Sequence, residues 1–197
     1  MPNDSAPTVR EAATTDPRVE RTTLALGRAL IELIQERDFD DITVQSILDR
    51  AGVGRTAFYT HYRNKDDVLH SSYERLFAGL EAILEPPSRP RARLFPVAEF
   101  LTHVGDSRRL VTALRSAGQM EEMWAACAGY AARIIERRIE RMGTVTSGIP
   151  RALAARMLAG ALVEAIEWWL AHAGTATAAE MDAAFHELAR GVLRRPR

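Results

Sequence analysis

Residues 39–69 read FDDITVQSILDRAGVGRTAFYTHYRNKDDVL, and the reading of this stretch organises the rest of the chain. Its apolar residues recur every three or four positions without strict alternation, which predicts helices. Thr43 stands where a cap would start a helix over 44–51, with Ile47 and Leu48 facing inward. Gly52-Val53-Gly54 then breaks it. Gly52 is free to take positive φ, Val53 to plug the angle between two helices, and Gly54 to restart the chain. A short helix follows over 55–62, anchored by Phe58 and Tyr62 four residues apart. Asn64 with Asp67 three residues later caps a fourth helix and gives it an acidic first turn.

Working outward, Asp16 before Pro17 predicts the start of a helix reaching about residue 37, with Val19, Thr23, Leu26, Leu30 and Ile34 on one face. The helix begun at Asn64 is expected to last until Pro86 and Pro87. Beyond it the pattern predicts helices over about 91–103, with a kink at Pro96, and over 107–116, 119–142 and 150–172. A flexible loop is expected at 144–148. Thr177 and Glu180 form a capping box for a last helix in which Met181, Phe185, Leu188 and Val192 keep the apolar phase. The fold class is therefore all-α. Three segments follow: a disordered tail at 1–16, a helix-turn-helix domain at 17–85 that includes the start of a linking helix, and a larger C-terminal domain at 86–197.

The chain of 197 residues balances 26 Lys and Arg against 26 Asp and Glu. Its total charge is therefore no pointer to a nucleic acid. A single cysteine, Cys127, excludes an internal disulfide and a cysteine-rich zinc site, and fits a reducing, cytoplasmic setting. No apolar run is long enough for a membrane span or a secretory signal, so no membrane partner is expected. Catalysis has little support. No base flanks Cys127 within a helical turn, and the five histidines form no i,i+4 ligand pair. Neither a metal nor a cofactor is expected.

The charge is unevenly placed. From residue 50 to 65 the charged residues are Arg50, Arg55, Arg63 and Lys65, a formal +4 without a carboxylate, inside a first 75 residues that hold 10 basic and 13 acidic groups. Two short helices joined by a glycine turn, with a third across them, make a helix-turn-helix whose second helix can enter the major groove. Arg55 can pair with guanine, the methyls of Thr56 and Ala57 can touch thymine, and Tyr59 and His61 can donate to phosphate. An ordinary solvated helix carries the same residue types.

The whole stretch strongly resembles the DNA-binding domain of the TetR (tetracycline-repressor-like) family of bacterial regulators. Its most specific part is the run Phe58-Tyr59-Thr60-His61-Tyr62 followed by Asn64-Lys65-Asp66-Asp67 and Leu69. The resemblance extends over about 19–77. It implies that Thr43, Val44 and Gln45 lie beside the DNA backbone, that Arg55, Thr56, Ala57 and Tyr59 line the groove, and that Tyr59, His61 and Lys65 bind phosphate. Lys65, the one lysine of the chain, would also need an anionic partner at a helix start, where the dipole disfavours a cation. Gly54 departs from the family pattern, in which Ser or Thr often caps the recognition helix.

The resemblance further implies a homodimer on a double-stranded DNA operator and a small-molecule effector in the C-terminal domain. Leu158, Leu162, Ala165, Ile166 and Trp169, joined by Phe185, are the candidate dimer face, with Ala154, Ala155, Ala159 and Ala161 permitting close approach. Phe95, Phe100, His103, Met120, Met123, Trp124, Cys127 and Tyr130 are the candidate effector-lining set. The alternative is a helical homodimer that works through protein partners and whose helix-turn-helix is vestigial.

Overall fold

The computed structural model describes residues 16–84, 93–143, 145–146, 148–172 and 174–194. The expected tail, up to residue 15, and the expected boundary at Pro86-Pro87 lie outside the described residues. Helix α1 (Pro17–Glu36) begins where Asp16 accepts a hydrogen bond from the Arg18 amide at 2.8 Å. A single 3-10 turn (Phe39–Asp41) leads into α2 (Val44–Ala51), which starts at a reciprocal box between Thr43 and Ser46. Helix α3 (Arg55–His61) is short, and α4 (Lys65–Ile83) starts at Asn64, whose Oδ1 accepts from the Asp67 amide at 2.9 Å.

These four helices share one core. Leu26, Leu30, Ile34, Phe39, Ile47, Phe58 and Val68 are almost wholly removed from water. Each such side chain contributes about 1.5–3 kcal/mol by burial, enough to fix how α2 and α3 sit on α1 and α4. Gly52, at φ 64° and ψ 33°, ends α2, and the Val53 amide reaches back to the Leu48 carbonyl at 3.1 Å. That bond closes a Schellman-type turn, and Val53 packs against the core beneath it.

The second layer comprises α5 (Val97–Asp106), α6 (Arg108–Ser116), α7 (Met120–Arg141), α8 (Arg151–Ala171) and α9 (Ala178–Val192). Pro96 is the residue before α5 rather than a kink within a helix, and Leu94 and Phe95 are buried outside the helix. Proline lacks the amide that an interior position must donate, whereas a helix start leaves that amide unused. The loop expected before α8 holds a two-residue antiparallel pairing, β1 (Val145–Thr146) with β2 (Leu193–Arg194). α8 lies along α7, and α9 packs on α5 and more lightly on α8. Among the described residues no helix is long and apolar enough to cross a membrane.

A half-buried ionic cluster joins the start of α5 to α9. Arg93 bridges Glu99 and Asp182 at 2.6 Å to each. The Leu94 amide donates to His186 Nε2 at 3.2 Å, which makes Nε2 an acceptor and leaves Nδ1 to donate to the Asp182 carbonyl at 2.7 Å. Arg138, the buried arginine of α7, donates through Nε to the Arg93 carbonyl at 3.2 Å.

Candidate nucleic-acid interface

α3 is held by its two aromatic anchors. Phe58 is buried, and Tyr62, also buried, places its hydroxyl 3.0 Å from Ser71 Oγ on α4. The opposite side is open, with Arg55, Thr56, Tyr59, Thr60 and His61 exposed and Ala57 half-buried. Tyr59 packs edge-on against Phe58, their ring centroids 5.2 Å apart, which fixes where its phenol projects. Thr43 and Gln45 are exposed at the start of α2 on the adjoining turn. The Thr43 hydroxyl accepts the Ser46 amide and retains its own proton for an outside acceptor. Val44 is half-buried and leans on the core, so its side chain belongs more to packing than to an open surface.

Folding compensates most of the local cations. Arg50 reaches back to α1, bonding Glu36 at 2.7 and 2.9 Å and Glu32 at 3.3 Å. Its hydrogen bond holds the Glu36 carboxyl below the ordinary carboxylate range. Arg63 grips Asp67 through its amide, Nε and Nη2, each at 2.9 Å, and the aspartate falls from 3.8 to about 2 chiefly because of those bonds. Lys65 donates to the Phe39 carbonyl and, at 3.4 Å, to that of Asp40, with its ammonium 4.3 Å from the Phe39 ring centroid. The partner that a cation at a helix start requires is thus supplied, in this structure, by the 3-10 turn. Arg55 stands apart, bonded to the neutral amide of Gln45 at 2.9 Å. Of the four formal charges in sequence, Arg55 is therefore the one without a carboxylate or backbone-carbonyl partner among the described contacts.

The C-terminal candidates are redistributed. Phe95, Phe100 and Tyr130 converge on Phe77 of α4, with Tyr130 stacked on it at 5.1 Å and 15°. Met123 and Cys127 are buried nearby on α7, while Met120 and Trp124 are partly buried against the same core. Burial pushes the Cys127 thiol up to about 12, which keeps it a thiol at neutral pH. His103 is exposed because α5 buries Val97, Phe100, Leu101 and Val104, the other side of the helix. A half-open apolar cavity of ≈ 150 Å³ lies elsewhere, between α5, α8 and α9, lined in part by Val97, Leu101, Leu162, Met181 and Phe185.

Most of the candidate dimer face is covered within the single chain. Leu158, Leu162, Ile166 and Phe185 are buried within the single chain, and Ala154, Ala155 and Ala159 are buried on the same helix, which lies along α7. Trp169 is half-buried, its indole donating to the Ala176 carbonyl at 2.8 Å, and Ala165 is half-buried beside the cavity. On α8 and α9 the large apolar side chains left exposed are Leu153, Met157 and Trp168 (46%, 55% and 41% exposed) and Leu188 (54%). With Ala161, the α8 residues share one face at helical spacing, a pattern visible in the sequence but hidden beneath the stronger apolar run beside it. Leu188 leaves the expected inward phase because α9 buries Phe185 and Ala189 instead.

A glycine-turned helix pair on a helical C-terminal domain defines the class of helix-turn-helix proteins. Residues 28–71 match the family of bacterial regulatory proteins called the tetR family. It is 34% identical over 76 residues to the HTH-type transcriptional regulator YxbF of Bacillus subtilis (strain 168), covering 38% of this chain and 20% of YxbF. With YdeS of the same organism, another HTH-type transcriptional regulator, it shares 28% identity over 144 residues and 68% of each chain. The chain thus spans about one fifth of the first relative's length. A TetR transcriptional regulator from Streptococcus agalactiae 2603V has the same fold at a TM-score of 0.59 and 23% identity, over 91% of this chain and 99% of that one.

Proposed function

We propose that this protein is a DNA-binding transcriptional regulator that acts as a homodimer on a near-palindromic operator, represses from it, and leaves it when a small molecule occupies the C-terminal domain. The observation that carries the reading is α3. Its aromatic anchors are buried while Arg55, Thr56, Tyr59 and His61 are exposed, in the segment that matches the tetR family. Two copies related by a two-fold axis would set their α3 helices on half-sites about 34 Å apart. The exposed stripe of Leu153, Met157 and Trp168 with Leu188 supports pairing through α8 and α9.

The effector part rests on the aromatic cluster. Phe77 lies on α4, the helix that also carries the DNA-facing unit, and its stack on Tyr130 links α4 to α7. A ligand that displaces Tyr130 or Phe100 favours a different setting of α4, which is the differential binding that release requires. Selection of bound duplexes from a random pool tests the reading directly. An enriched sequence with two-fold symmetry is expected, and a pool that stays random would overturn it.

A further inference from the structure

We propose that Asp49 is a positioning residue for base reading: acting through Gln45, it sets the orientation in which Arg55 meets a guanine. This rests on the DNA-binding reading above. The geometry is a relay in which Asp49 Oδ1 accepts from Gln45 Nε2 at 2.8 Å and Gln45 Oε1 accepts from Arg55 Nη2 at 2.9 Å. All three residues are exposed, on two helices that meet across the Gly52 turn.

The relay has a direction. An ionised carboxylate only accepts, so it draws the amide nitrogen of Gln45 toward itself and turns the carbonyl oxygen toward Arg55. With the amide reversed, its NH2 would face the guanidinium, two donors in opposition. Asp49 therefore selects one of the two amide orientations. Only one of the five guanidinium N–H groups is used by Gln45, and the others remain for guanine O6 and N7. A guanidinium held before contact loses less rotamer freedom on binding than a free one.

Asp49 also places a negative charge on a surface that approaches phosphates, which disfavours every DNA sequence alike. Its removal thus has two effects of opposite sign: general affinity rises and discrimination falls. A residue that merely stabilised α2 would produce neither combination.

The test uses the full chain, the sequence it selects from a random pool, and single-base variants of that sequence at one salt concentration. Arg55→Ala identifies the guanine it reads by losing discrimination there. Asp49→Asn is expected to bind random duplex about two- to fivefold more tightly, and to lose about five- to tenfold of the discrimination at that guanine. Asp49→Glu keeps the acceptor-only carboxylate, whereas Asn can also turn its NH2 toward Gln45, so Asp49→Glu should retain most of it. In an Arg55→Ala background Asp49→Asn should cost no further discrimination. Gln45→Met, which cuts the relay without touching the carboxylate, should reproduce the loss and provides a second variant if Asp49→Asn fails to fold. Undiminished discrimination in Asp49→Asn or Gln45→Met, or an equal added loss without Arg55, overturns the relay alone. A wild-type protein that selects no sequence overturns the DNA-binding reading and the relay together.

Discussion

Lys65 has three N–H donors, and two are directed at the carbonyls of Phe39 and Asp40. The third remains for a phosphate. Lys65→Ala is therefore expected to act twice: through a loss of stability of about 1–2 kcal/mol, read as a melting temperature about 2–8 °C lower, and through a shallower salt dependence of DNA affinity, by about 1–2 for a dimer. A lower melting temperature with an unchanged salt slope would assign the residue to folding alone. Asp67 gives a pH dependence of defined sign. Its carboxyl falls from 3.8 to about 2 in the fold, so its pairing with Arg63 contributes above pH 3.8 and is lost as pH falls through about 2. Urea midpoints of wild type and Asp67→Asn should differ at pH 6 and converge toward pH 2. The partners of Arg50 were not legible in the sequence. Glu36 and Glu32 lie 14 and 18 residues from Arg50, and spacing says nothing of which carboxylates folding brings to a cation.

At the scale of single elements, the two glycines of the turn separate conformation from space. A Cβ at Gly52 would meet nothing within 4 Å, yet φ +64° strains any L side chain there. Gly52→Ala should cost about 1–2 kcal/mol, measurable as a lower urea midpoint. Gly54 sits at φ −73° and ψ 151°, open to any residue, and α3 begins without a side-chain cap. Gly54→Ser should add a few tenths of a kcal/mol and slow amide exchange in the first turn of α3; unchanged exchange would mean the serine does not cap. The caps explain why so many helix starts were legible: Asp16, Thr43, Asn64 and Thr177 each accept the amide that their chemistry predicts. Pro96 and Leu188 were not, for a shared reason. Leu94 and Phe95 continue an apolar rhythm outside α5, and Leu188 adjoins Ala189 in α9, so periodicity alone does not say which apolar residue faces inward.

For the whole molecule, the proposed pairing surface makes a contrast between two kinds of substitution. Met157→Glu with Leu188→Glu alters exposed residues and should give a folded monomer in sedimentation velocity, with helix content unchanged. Leu162→Glu puts a charge in a site almost sealed from water and should unfold the chain instead. A dimer that survives the exposed pair would reject that surface. The half-buried cluster of Arg93, Glu99, Asp182 and His186, in which Arg93 and Asp182 lie 89 residues apart, has no periodic signature and emerges only when α5 meets α9. The aromatic set was legible as residue types, while its convergence on Phe77 was not, because Phe77 is an ordinary core position of α4. Compensation of Arg50 and Arg63 also bears on the rate of encounter. Paired charges project little field beyond a Debye length of about 8 Å. Approach to DNA is then scarcely steered, with association near the roughly 10⁵–10⁶ M⁻¹s⁻¹ of uncharged partners and changing little with salt in stopped-flow mixing. Salt would act on escape instead of arrival, and the time spent on a site would be set by how slowly the protein leaves it.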